Sequence, residues 1–77
     1  MDIDVKFFAS LRERMGRTSD KVTLAGDEAT VADVWGQLSS ESMPSNILIA
    51  VNKEYTSLDQ VLKNGDEVAF FPPVTGG

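Results

Sequence analysis

The first apolar positions alternate. In "IDVKFF", Ile3, Val5 and Phe7 fall on one side of an extended chain and Asp4, Lys6 and Phe8 on the other, which predicts a strand with one buried face. The stretch "LRERMGRTSD" that follows is polar, carries Gly16 as a stop and reads as a connection. A second alternation, "KVTL", puts Val22 and Leu24 on one face, and the connection is short enough for an antiparallel pair. The period then changes. In "TVADVWGQLSS", Val31, Val34, Trp35 and Leu38 stand at i, i+3, i+4 and i+7, and Thr30 with Asp33 three residues on resembles an N-cap with its capping-box partner. This is the main helix. Gly36 beside its apolar stripe costs roughly 1 kcal/mol relative to alanine, and it is expected to let the helix approach the sheet closely. The serines and "MPSN" end the helix.

A denser apolar run, "ILIAV", has the β-branched character of a central strand covered on at least part of both faces. Ser57 is placed to cap a short helical turn that turns Leu58, Val61 and Leu62 inward, and Asn64-Gly65 supplies a turn. In the last strand, "EVAFF", Val68 and Phe70 share one face while Ala69 and Phe71 share the other. Two prolines then remove two backbone donors and end the pairing. The order β, β, α, β, short β or helical turn, β is that of a β-grasp: an α+β fold with a mixed sheet of four to five strands and the helix across one face. On pattern alone, another small α+β sheet with one packed helix stays open.

With 77 residues, 42% hydrophobic and 25% charged, the chain has the composition of one globular domain. A chain of this size buries only about 60% of its unfolded surface, and many such domains use disulfides or metals for support. There is no cysteine and no histidine, so side-chain thiol chemistry, structural zinc and the common Cys- or His-based nucleophile and base arrangements are excluded. Any reactive sulfur here must ride on something other than a side-chain thiol. A formal net charge of -5 disfavours nucleic acid and anionic lipid and favours a partner with a positive surface. "MDIDVKFF" has no basic segment leading into an apolar one, and no run approaches the ~18 apolar residues of a membrane span. A cytoplasmic protein is expected.

Residues 1–71 form the expected domain and residues 72–77 an extended arm. Pro72 and Pro73 hold the backbone near polyproline II, so the chain leaves the sheet stiffly. Six residues extend roughly 20 Å, enough to enter another protein's active site. Val74 and Thr75 lead to Gly76 and Gly77, which lack Cβ atoms and fit a narrow channel. A bare carboxylate on Gly77 is open to adenylation by ATP and then to displacement of AMP by sulfur or an amine. Taken singly, a Gly-Gly end is more often frayed chain and Pro-Pro a strand stop; the combination with a β-grasp order is what points to group transfer.

"GDEVAFFPPVTGG", Gly65 to Gly77, together with "FFASLRERMG", Phe7 to Gly16, resembles the small subunits of molybdopterin synthase, over the whole chain. The resemblance implies that Gly77 is adenylated by an E1-like activating enzyme, becomes a thiocarboxylate and enters the large subunit. There it would give its sulfur to cyclic pyranopterin monophosphate, and two donations would build the dithiolene that holds molybdenum. It implies a heterotetramer of two small and two large subunits, no bound cofactor or metal, and ATP used by the activating enzyme. The chain shows no general base or metal site of its own, so catalysis is expected on the partner. The family's docking surface is apolar and lies on the sheet face away from the helix, which makes Phe71 its anchor. By the same resemblance Arg12 is a charged contact near the tail and Tyr55 an apolar one, although the family often has an aliphatic residue at that position. Three alternatives stay open: a thiamine-pathway sulfur carrier, a ubiquitin-like modifier joining Gly77 to lysine, and a non-covalent β-grasp interaction module.

Overall fold

The computed structural model describes residues 1–39 and 46–72. Strand β1 (Asp2–Phe7) buries every second side chain, with Ile3 and Val5 fully covered. It is followed by a short helix, α1 (Ser10–Met15), that buries only Leu11 and closes on Gly16 in the left-handed conformation. Strand β2 (Ser19–Thr23) returns antiparallel to β1, with Ile3 opposite Val22. A two-residue strand, β3 (Ala29–Thr30), leads into α2 (Val31–Leu38). Then come β4 (Leu48–Val51), β5 (Glu54–Thr56), β6 (Val61–Leu62) and β7 (Glu67–Phe71).

Five of these strands form one sheet in the order β2-β1-β7-β4-β5, while β3 and β6 pair separately. The two central strands, β1 and β7, run parallel with Val5 beside Val68 and Phe7 beside Phe70; the remaining pairs are antiparallel. A parallel central pair requires a long crossover, and α2 lies within it. Helix α2 lies across one sheet face and places Val31, Val34 and Trp35 in the core with Ile3, Val5, Phe7, Ile49, Val68 and Phe70. Trp35 meets Phe70 edge-on, with ring centroids 5.2 Å apart. This is a β-grasp.

The start of α2 is fixed by a reciprocal cap. The Asp33 N–H donates to the Thr30 hydroxyl at 3.4 Å, and the Thr30 N–H donates to the Asp33 carboxylate at 2.8 Å. The next free donors of the first turn are met by the loop before β6: Val31 N–H donates to the Gln60 carbonyl and Ala32 N–H to that of Leu58, at 3.1 and 2.9 Å.

Three expectations are corrected. The polar stretch after β1 holds α1, whose single buried side chain leaves no amphipathic period to read. Gly36 is exposed, and a Cβ built on it meets nothing within 4 Å, so it does not serve close packing; the helix turns it toward solvent. Ser57 caps no helix: Val61 and Leu62 are in β6, where pairing with β3 turns Leu62 inward and leaves Val61 exposed, and Leu58, in the turn before β6, is exposed. The strand β5 and its hairpin turn at Asn52-Lys53, both with positive φ, add an element that the apolar pattern did not announce. The end of the helix proper is Leu38, and most of the "SS…MPSN" segment lies outside the described residues.

Candidate docking face and the root of the tail

On the sheet face turned away from α2, the registers set side chains in rows. Lys6 lies beside Ala69, Ala69 beside Ala50, and Ala50 beside Tyr55, a row crossing four strands. One step toward the end of β7, Leu48 lies beside Phe71. The β1 ladder continues past its last residue, since Phe8 N–H donates to the Phe70 carbonyl at 3.2 Å. That bond brings Phe8 next to Phe71. The two rings stack with centroids 4.7 Å apart and planes 11° apart, and Tyr55 tilts against the other flank of Phe71 at 6.2 Å and 60°.

The face is therefore divided. Its half next to the chain's exit is apolar: Phe8 and Leu48, 41% and 40% exposed, Tyr55 and half-buried Phe71, with Ala50 and Ala69 buried between them. The other half is charged, with Asp4 between Lys21 and Glu67 in the register. A contiguous apolar patch beside a charged one is how a monomer marks a protein-binding surface.

Two Phe-Phe dipeptides build the junction between core and patch. Phe7 and Phe70 stack inward at 6.1 Å, while Phe8 and Phe71 stack outward. Phe70 is fully buried; Phe71 is half-buried. Phe71 lies on the face opposite Val68 and Phe70, as strand alternation predicts, and the structure brings it together with Tyr55. Arg12 is elsewhere. It is exposed on α1, its N–H bonded to the Ala9 carbonyl and its own carbonyl accepting from Arg17 N–H, both at 3.1 Å. Its guanidinium makes no ion pair or ring contact with Phe71 or Tyr55 among the described residues. Pro72 is half-buried directly after the patch, and Pro73, Val74, Thr75, Gly76 and Gly77 lie outside the described residues. Phe8 and Leu48 are the patch residues that sequence reasoning passed over. The signal for Phe8 was the recurrence of Phe-Phe at the ends of two strands, which matters only once those strands are known to pair in parallel.

No helix among the described residues is long and apolar enough to cross a membrane. Among the described residues, the one carboxyl that departs clearly from its ordinary value is exposed Asp59, held below the ordinary aspartate value by the Ser57 hydroxyl and by a backbone hydrogen bond, with desolvation opposing. The patch itself offers apolar area and a single phenol for binding.

Residues 5–77 match the ThiS family. At the level of whole chains, the molybdopterin synthase sulfur carrier subunits of Escherichia coli and Haemophilus influenzae are 42% and 39% identical, each match covering 97% of this chain and 99% of the relative. Among solved structures, SAMP1 from Haloferax volcanii superposes with a TM-score of 0.84 at 31% identity, covering 100% of both chains. A putative molybdopterin converting factor subunit 1 from Pyrococcus furiosus gives 0.81 at 31% identity, over 96% of this chain and 99% of the other. The chain belongs to the ThiS family.

Proposed function

We propose that this ThiS-family chain is the sulfur-carrying small subunit of a molybdopterin synthase. Residues 1–71 form the docking domain, and residues 72–77 form the arm that presents Gly77. The Gly77 carboxylate attacks the α-phosphorus of ATP on an E1-like activating enzyme, pyrophosphate leaves, and an acyl-adenylate forms. A sulfur nucleophile then displaces AMP and leaves a thiocarboxylate. Inside the large subunit that group gives its sulfur to cyclic pyranopterin monophosphate, and two donations complete the dithiolene. The working assembly is a cytoplasmic heterotetramer of two small and two large subunits, with the catalytic groups on the large one. The small subunit binds no cofactor, and ATP belongs to the activating enzyme.

The observation that carries this reading is the position of the apolar half-face: Phe8, Phe71 and Tyr55 gather immediately before Pro72, where the Gly-Gly arm begins. A partner that holds this patch holds the root of the arm, so docking and delivery become one event. The names of the two bacterial relatives support the same role. Removing Gly77 is the test. The melt is expected to match the unaltered chain while sulfur transfer disappears, and normal transfer without Gly77 contradicts the reading. The likeness to SAMP1 favours a second role, in which the activated Gly77 carbonyl is captured by a lysine amine and forms an isopeptide.

A further inference from the structure

We propose that Tyr55 is a specificity-determining residue of the docking face, its hydroxyl donating a hydrogen bond to a neutral oxygen acceptor on the large subunit. The inference rests on the function proposed above. Tyr55 is the most exposed of the large apolar side chains among the described residues, at 74%, and it is the only tyrosine of the chain. It stands at the middle of the edge strand β5, opposite Ala50, so nothing large shields it across the pair. Its ring is nonetheless placed, tilted at 60° against Phe71. A positioned aromatic loses little conformational entropy when it is buried by a partner.

The hydroxyl is the informative atom. It forms no hydrogen bond among the described residues. Phe8, Leu48, Ala50, Ala69 and Phe71 have no polar side-chain atom, so Tyr55 Oη is the side-chain donor of the apolar half-face. Docking removes its water. A phenol dried without an acceptor costs the complex, whereas one that meets an acceptor does not. The discrimination is therefore one-sided, against surfaces that lack the acceptor. A net charge of -5, with Glu54 one residue away, disfavours a carboxylate in that place. A main-chain carbonyl or side-chain amide oxygen fits.

Calorimetry against the purified large subunit tests this with Tyr55→Phe and Tyr55→Leu, together with a carrier labelled with 13C at the tyrosine Cζ. Tyr55→Phe keeps the ring and is expected to weaken binding about tenfold with an unchanged melt; Tyr55→Leu is expected to bind no better. In the complex the Cζ resonance of the single labelled phenol is expected to move from its free position at constant pH in the unaltered chain, because the hydroxyl exchanges water for a fixed acceptor. Tyr55→Phe binding as tightly as the unaltered chain, or a Cζ resonance identical free and bound, overturns the inference while leaving the function standing. Failure of the unaltered chain to bind the large subunit is a different result, and it refutes the proposed function itself.

Discussion

Phe8 lies flat on Phe71, the rings 4.7 Å apart between centroids and 11° from parallel, on the sheet face that α2 leaves open. One residue earlier in each strand, Phe7 and Phe70 stack in the core. Adjacent aromatics along the same two chain segments thus face opposite sides of the sheet.

That opposition is testable with one pair of substitutions. Phe70→Ala empties a fully buried site against Trp35 and Phe7 and is expected to cost roughly 3 to 5 kcal/mol of stability. Phe71→Ala is expected to leave the fold largely intact and to weaken binding to the large subunit by about 2 kcal/mol or more. Thermal melts and calorimetric titrations on both variants decide the assignment. It fails if Phe71→Ala unfolds the domain, or if Phe70→Ala stays fully folded and binds poorly.

The turn that follows Phe8 is strained. Ala9 has φ 53 and ψ -129, a region glycine occupies without penalty, and the turn is closed by Leu11 N–H donating to the Phe8 carbonyl at 3.1 Å. Ala9→Gly is expected to stabilise the domain by about 1 kcal/mol, the relief of strain outweighing the added freedom of the unfolded chain. Urea unfolding measures it as a higher midpoint at unchanged slope. A lower midpoint contradicts this reading of the turn.

Asp59 supplies a pH signature. The Ser57 hydroxyl, then a backbone hydrogen bond, hold its carboxyl below the ordinary value of 3.8. A depressed folded value means that the stabilisation is fully present above the unfolded value and is lost as pH falls through the folded one. Carbon-detected NMR titration of the Asp59 carboxyl is expected to show a midpoint below 3.8 that Ser57→Ala moves back up. An unmoved midpoint in Ser57→Ala rules out the hydroxyl as the cause.

The parts of the fold legible in the sequence are those whose cause is local. β1 announces itself by alternation because one face is buried by the helix, β7 by an apolar run whose Val68, Ala69 and Phe70 are all buried, and α2 by its period together with the Thr30 and Asp33 cap. α1 was hidden because a six-residue helix burying only Leu11 carries no periodic stripe. β6 was half legible because adjacent Val61 and Leu62 fit a helical turn as well as a two-residue strand; only β3, more than thirty residues away in the chain, decides between them. The docking face was half legible. Phe71 follows from alternation within its own strand, but Phe8 and Leu48 join the patch through registers across β1, β7 and β4, which no local pattern encodes.

The central claim is that Gly77 carries the sulfur. Intact-mass measurement of the chain after incubation with the activating enzyme, ATP and a sulfur donor tests it most directly. The account predicts exchange of one oxygen for one sulfur, located by fragmentation at Gly77 and absent without ATP; an unchanged mass from a demonstrably active enzyme set would contradict it.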